Sequence, residues 1–232
     1  MAHEVESIKQ ESKDPFMTRV KQLFGVATVP SPPWPGPILE NPLQGIREAS
    51  RIMEKEQAVI MLGFRGSTYT APDRYALDVM TAILSGMAGR LFQAVRGELG
   101  LSYTLGASHV PGWDMGYLLV YAATKPEEQK QVLSILAQQL DLARSQGFTE
   151  EEVEQAKRYL IGLHRMDIQH LVGLAKRSSL DELYGLGFDA WRDYEKKINA
   201  VTVEEIEEAA RRYLTLQDRA QVVVSPMVDG HE

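Results

Sequence analysis

The sequence predicts an α+β fold, a two-layer sandwich in which an antiparallel-rich sheet has helices packed on one face. The first half of the domain contains short runs with the period of two that β-strands require. From about residue 124 onward the apolar residues instead follow helical spacing. A single strand-like run, AQVVVS at residues 220–225, returns after the helices. Strands, then helices, then one returning strand is the order expected of such a sandwich.

Four strands are expected before the helical half. Residues 45–53 alternate weakly, which is typical of an edge strand, whereas QAVIMLGF at 57–64 is apolar on both faces. We therefore expect the second strand to be central and covered on both sides. Residues 103–110 and 114–124 flank a Pro-Gly turn and predict a hairpin. The 114–124 strand is also apolar on both faces, with Met115, Tyr117, Leu119 and Tyr121 on one and Leu118, Val120 and Ala122 on the other.

Helices are predicted from apolar spacing and from N-terminal capping signals. One lies between the two pairs of strands, at residues 70–86. The others are expected at 125–146, 150–169, 171–184, 190–199 and 203–214. Threonine followed three residues later by glutamate predicts capping boxes at Thr124/Glu127, Thr149/Glu152 and Thr202/Glu205.

The N-terminal part of the chain differs in composition from the rest. Residues 1–15 are polar and are expected to form a leader that is disordered or was added by cloning. Residues 16–24 have helical spacing and end at Gly25. The proline-rich run at 29–37 must be extended and stiff, so residues 16–39 are interpreted as the tail helix of a preceding domain plus a linker. The folded domain is then expected at 40–228.

Composition excludes several classes of function. A net charge of −7 is wrong for a nucleic-acid groove, which needs clustered basic residues, so no nucleic-acid partner is expected. The chain has no apolar run of membrane-spanning length and its start lacks the apolar core of a signal peptide, so we expect a soluble chain without a membrane span. The absence of cysteine excludes disulfides and thiolate metal sites. None of these features identifies a compartment.

One stretch, GMAGRLFQAVRGELGLSY at residues 86–103, predicts a short amphipathic helix that breaks at Gly100 and turns into a strand near Tyr103. It carries the run 89–92 (GRLF), then Arg96, the pair 100–101 (GL) and Tyr103. This pattern resembles the second domain of the insulinase-type (pitrilysin-like) zinc metalloproteases, which include the mitochondrial processing peptidases. There the stretch reads S/G-R-L-F and then R-x-x-x-G-L-x-Y. The resemblance covers about residues 40–226.

The resemblance implies a LuxS/processing-peptidase-like fold and a parent zinc metalloendopeptidase. It also implies that Arg96 and Tyr103 reach the peptide, and the oxyanion formed on it, at the zinc of another domain. On a helical wheel Arg96 lies just beyond the apolar arc, so its stem can rest on the core while its guanidinium reaches the rim. From the residues alone, a surface arginine and a core tyrosine would be the simpler interpretation. The resemblance favours a substrate-binding pair.

The zinc motif of the family's catalytic domain, H-x-x-E-H, is missing from this sequence. The chain has five histidines, and His164 and His170 share a predicted helix. Six helical steps place them about 240° apart, so they cannot chelate one ion from an unbroken helix. We expect structural histidines, no metal site and no catalytic residue in this chain, which should be inactive alone. Zinc is expected instead in the parent's or a partner's catalytic domain.

The function predicted by these features is that of a non-catalytic, substrate-binding and chamber-forming domain of a peptide-hydrolysing protease. Expected partners are a zinc-binding domain or subunit of the same family and a peptide substrate, with a homo- or hetero-oligomer possible. A scaffolding subunit without proteolysis is the alternative, and an unrelated peptide-binding module with a proline-rich recruiting segment is a third. Because strands 57–64 and 114–124 are apolar on both faces, we expect the face without helices to be buried against another domain or subunit.

Overall fold

The computed structural model describes residues 15–25, 41–86, 89–97 and 102–227. The chain divides into two compact units, residues 1–38 and 39–232. In the first unit the structure describes helix α1, Pro15–Phe24, which agrees with the helix predicted at 16–24. The predicted leader, apart from Pro15, and the proline-rich run lie outside the described residues. The assignment of this unit to a preceding domain stays a prediction.

The second unit is built on a five-stranded sheet with the order β1-β5-β2-β4-β3. Its strands are β1 (Arg47–Met53), β2 (Ala58–Arg65), β3 (Ser102–Val110), β4 (Tyr117–Thr124) and β5 (Ala220–Pro226). Only the β1–β5 pair is parallel, and the other three pairs are antiparallel. The antiparallel-rich α+β fold is therefore confirmed, with β1 at an edge and β2 in the centre.

The helices follow the order that their apolar spacing predicts. They are α2 (Arg74–Ser85), α3 (Arg90–Phe92), α4 (Gln129–Gln146), α5 (Glu150–Ile168), α6 (Leu171–Leu183), α7 (Tyr194–Ala200) and α8 (Val203–Tyr213). A π-helical turn, Gln93–Gly97, continues α3, and 3₁₀ turns precede α4 and α7. The predicted helix at 70–86 begins four residues later than expected, after the turn that contains Pro72.

The core lies between the sheet and the helices. Alternate residues of β2 (Ala58, Ile60, Leu62 and Phe64) and of β4 (Leu118, Val120 and Ala122) are buried on this side. The helices meet them with Leu77 and Met80 of α2, Leu136 and Leu140 of α4 and Ile206 of α8, all fully buried. Each large aliphatic side chain buried in this way stabilises the fold by about 1.5–3 kcal/mol.

Two of the three capping boxes form as predicted. Thr149 and Thr202 each accept a hydrogen bond from the backbone N–H of the glutamate three residues on, whose carboxylate accepts one in return. The box expected at Thr124 and Glu127 is wrong. Thr124 stays in β4, paired with Ala58, and its hydroxyl donates to Glu128 instead. Strand pairing therefore takes priority over the local capping signal, and α4 starts only after a 3₁₀ turn.

No described helix of the second unit covers the other face of the sheet. It presents Val59 and Met61 of β2, Leu119 and Tyr121 of β4, and Val222 and Val224 of β5, which are cross-strand neighbours. We call these six residues the open face. Met61 at its centre is 38% exposed. In the described part of this unit, helices cover β2 on one side only, and the covering of its other side by another domain or subunit stays a prediction.

Candidate functional site

The start of the motif stretch is held firmly against the helix layer. Gly89 precedes α3 and must be glycine, because a Cβ there would come within 2.7 Å of the Gly86 nitrogen and 2.8 Å of the Leu84 carbonyl oxygen. Leu91 and Val95 are fully buried, which confirms the apolar arc predicted for this short helix. The segment therefore leaves α2 through a tight turn and anchors on the core before it reaches Arg96.

Arg90 of the same motif forms a structural ion pair. Its Nε and Nη2 donate to the two carboxylate oxygens of Glu152 at 2.6 and 2.7 Å. The guanidinium also lies 4.8 Å from the centre of the Phe148 ring. Hydrogen bonds from Arg90, reinforced by the Thr149 cap, lower the pKa of Glu152 to about 2. Arg90 thus fastens the motif to the N-terminus of α5, a role that sequence reasoning missed because the partners are 62 residues apart.

The backbones of Arg96 and Tyr103 lie at two irregular points of the chain. Arg96 directly follows buried Val95 within the π-helical turn. Tyr103 lies near the start of β3, where the pairing with β4 shifts between Ser102 and Thr104, as in a β-bulge. Both kinds of irregularity are enriched at functional sites. The two side chains and residues 98–101 lie outside the described part of the structure, so their pairing stays a prediction.

A hydrogen-bonded serine, histidine and aspartate lie on the helix-covered side. His109 of β3 contacts the Ser67 hydroxyl through Nε2 at 3.0 Å and the Asp78 carboxylate through Nδ1 at 2.8 Å. These are the residue types of a hydrolytic triad. Ser67 is only 3% exposed and the His109 side chain is fully buried, so no substrate carbonyl can approach. The network instead connects β3, α2 and the loop after β2.

The two other described histidines belong to different elements. The prediction that His164 and His170 share a helix is wrong, because His164 lies within α5 whereas His170 is the residue that precedes α6. The His164 ring lies 4.5 Å from that of Tyr194, and burial together with the charge of Arg177 lowers its pKa. Among the described residues, no group of three histidine, aspartate or glutamate side chains could hold a metal ion. None of the described helices is long and apolar enough to cross a membrane.

Residues 11–160 match the family described as the peptidase M16 inactive domain. Among curated proteins, the chain is 29% identical to the uncharacterized zinc protease YmxG of Bacillus subtilis, over 81% of this chain and 46% of that protein. It is 31% identical to the uncharacterized zinc protease SCO5738 of Streptomyces coelicolor, over 79% of this chain and 41% of that protein. The chain thus spans less than half the length of these relatives.

Solved structures show the same fold at lower identity. The peptidase M16 inactive domain from Pseudomonas fluorescens matches with a TM-score of 0.73 and 22% identity, over 87% of this chain and 48% of that one. The inactive peptidase domain of a zinc protease from Bordetella parapertussis matches with a TM-score of 0.67 and 18% identity, over 78% of this chain and 98% of that one. The family match covers more than half of the sequence, and the fold and the motif stretch agree with it. The chain therefore belongs to the peptidase M16 family and contains its inactive domain.

Proposed function

We propose that this domain forms one wall of the chamber of a zinc metallopeptidase and holds the peptide that a catalytic domain cleaves. The zinc and the water-activating glutamate belong, in this proposal, to a catalytic domain or subunit of the same family. The observation that carries the proposal is that this chain matches the peptidase M16 inactive domain and lacks the H-x-x-E-H motif. The relatives' description as zinc proteases supports a proteolytic parent.

Arg96 and Tyr103 are the residues proposed to contact the peptide. Guanidinium and phenol groups donate hydrogen bonds to a peptide carbonyl and to the oxyanion that develops on it during hydrolysis. The buried anchors Leu91 and Val95 and the ion pair of Arg90 with Glu152 fix the helical turn that contains the backbone of Arg96. This support fits a pre-organised donor, because a positioned side chain loses little entropy when it meets the transition state.

The open face favours an arrangement in which another domain or subunit packs against it. Its centre is apolar, and burying apolar surface stabilises an association by about 25 cal/mol per Å². We propose that a catalytic domain or subunit of the same family, whose own sheet faces the chamber, shields this surface from water. A homo- or hetero-oligomer could provide that arrangement equally well.

A scaffolding subunit without proteolysis is the second candidate. A chain of complex III2 from Candida albicans shares the fold, with a TM-score of 0.70 at 15% identity over 80% of this chain and 46% of that one. The fold therefore also occurs in a chain of that complex. The two candidates differ in whether removal of this domain abolishes peptide cleavage or only weakens an assembly.

Reconstitution distinguishes these candidates. The isolated chain is expected to retain no stoichiometric zinc after dialysis and to leave an internally quenched peptide uncleaved. Mixing it with the zinc-binding domain encoded in its parent gene or in a neighbouring one should produce cleavage that a zinc chelator abolishes. A zinc-binding partner that cleaves equally well without this chain would leave the scaffold as the better account. Stoichiometric zinc in the isolated chain would contradict the assignment of zinc to the partner.

A further inference from the structure

A cavity of about 400 Å³ lies on the helix-covered side of the sheet, between α2, β3, α5, α6 and α7. That volume is within the range of sites that hold a small ligand or one residue of a peptide. Its polar lining includes Arg74, Asp78, Tyr159, Arg177 and Tyr194. We call it the α2–β3 cavity. None of the described residues of the motif stretch (89–97 and 102–103) lines it.

Arg74 is a buried cation in the wall of this cavity. It is 4% exposed, and it donates to the Tyr69 carbonyl at 2.7 Å and to the Tyr75 hydroxyl at 2.8 Å. In the described part of the chain, no carboxylate forms an ion pair with it. Burying a charge that has no ion-pair partner is costly, because its hydrogen bonds and the Tyr75 and Tyr69 rings, whose centres lie 4.5 and 5.7 Å from the guanidinium carbon, replace only part of its hydration. A bound anion would remove that cost.

Arg177 and Tyr194 add donors to the same cavity. Arg177 donates through Nε to Asp181 at 3.2 Å, and its two terminal nitrogens donate to no other residue in the described part of the chain. Its guanidinium carbon lies 5.6 Å from the centre of the Tyr194 ring. Burial, and then the nearby Asp78 carboxylate, raise the pKa of Tyr194, so the phenol stays protonated at neutral pH. Two guanidinium groups and a phenol therefore line one cavity.

The remaining walls restrict what can bind. Asp78 repels an anion at its own side, where Oδ1 is bonded to His109, so a ligand anion must lie toward the two arginines. Tyr159 and Leu163 of α5 line the cavity with apolar surface and are 51% and 45% exposed. Another wall of the cavity is β3, which forms one edge of the described sheet. An extended chain can pair with such an edge through main-chain hydrogen bonds.

We propose that the α2–β3 cavity binds a carboxylate carried by an extended peptide, with Arg74, Arg177 and Tyr194 as its donors. The carboxylate is either the C-terminus of the peptide or the side chain of an aspartate or glutamate. In both cases the peptide's apolar neighbours contact Tyr159 and Leu163. Asp78 accepts a hydrogen bond from a peptide N–H. This recognition requires no zinc and no catalytic partner.

Calorimetric titration of the isolated chain with three matched peptides tests the ligand chemistry. All three have an acetylated N-terminus and one apolar sequence; the first ends in a free carboxylate, the second in an amide, and the third in an amide with one internal glutamate. Charge-assisted hydrogen bonds to a carboxylate strengthen binding. The first or the third peptide should therefore bind at least about tenfold more tightly than the second. The tighter of the two identifies the source of the carboxylate. Equal binding of all three peptides, or binding of none, would overturn the proposal.

Variants locate the site. Tyr194→Phe removes a hydroxyl that forms no hydrogen bond with the described residues, so folding should be unchanged while affinity for the favoured peptide falls about five- to tenfold. Arg177→Met should weaken binding by about tenfold or more, with folding checked by circular dichroism because Asp181 loses its partner. Arg158→Met is the matched control, since Arg158 is an exposed arginine of α5 that does not line the cavity. Wild-type affinity in Tyr194→Phe together with Arg177→Met would contradict the assignment.

Discussion

The two faces of the sheet are made by the same strands and are both apolar, yet the described helices cover only one of them. On β2, Ile60 and Leu62 are fully buried beneath the helices, whereas Met61 between them is 38% exposed. The cross-strand neighbours of Met61, Tyr121 and Val222, extend the uncovered apolar surface across three strands. A contiguous apolar surface of this kind usually marks a contact with another molecule or domain. The covered face therefore accounts for stability, and the open face is proposed to account for association.

The largest expected difference in stability is between neighbouring residues of β2. Ile60→Ala should lower the free energy of unfolding of the isolated chain by about 2–5 kcal/mol, because it leaves a cavity in the core. Met61→Ala removes a partly exposed side chain and should cost less than about 1 kcal/mol. Urea denaturation of both variants measures the difference. Equal losses would show that the open face is covered within this chain. Met61→Ala should instead weaken capture of the zinc-binding domain.

A second comparison sets the ion pair of Arg90 with Glu152 against an exposed arginine on the open-face side of the sheet. Arg90→Met should lower the free energy of unfolding by about 1–2 kcal/mol, since two charge-assisted hydrogen bonds are lost from a partly exposed pair. Arg51→Met on β1 is the control, because Arg51 is exposed and its strand neighbour Val224 lies on the open face. Chemical denaturation of the two variants is the measurement. A loss for Arg51→Met as large as that for Arg90→Met would contradict the structural role given to Arg90.

Lowering the pH should weaken the same ion pair, with a smaller effect on the free energy of unfolding. The pKa of Glu152 is lowered from 4.5 to about 2, chiefly by its hydrogen bonds with Arg90. A lowered folded-state pKa contributes stability that is complete above the unfolded pKa and is lost as the pH falls through the folded one. The contribution should therefore disappear between about pH 4.5 and pH 2. Urea midpoints across that range should fall more steeply for the wild type than for Glu152→Gln. Parallel profiles would show that Glu152 is not the group responsible.

Features that depend on neighbouring residues could be predicted from the sequence. The strand alternation, the buried anchors Leu91 and Val95 and two of the three capping boxes follow from local spacing. The position of β5 between β1 and β2 could not be predicted, because strand order is decided by tertiary packing. The same limit explains the error at Thr124, which strand pairing holds in β4.

The candidate sites likewise divide into features with a local sequence signal and features that form only in the folded chain. Arg96 and Tyr103 were identified through a motif with fixed local offsets. The pairing of Arg90 with Glu152, and the convergence of Arg74, Arg177 and Tyr194 on one cavity, join residues from distant parts of the sequence. No spacing in the sequence relates such residues, so their proximity can be seen only in the folded structure.

The central claim is that this inactive domain supplies substrate contacts to a zinc protease, and kinetics of the reconstituted enzyme test it most directly. Arg96→Ala should leave the unfolding of the isolated chain nearly unchanged and lower kcat/KM for peptide cleavage by about 10- to 1000-fold, the range for losing a donor to the developing oxyanion. Tyr103→Phe should give a smaller loss, and the exposed control Arg158→Ala should give none. If Arg96→Ala and Tyr103→Phe both cleave at the wild-type rate, the two residues are structural and the claim is wrong.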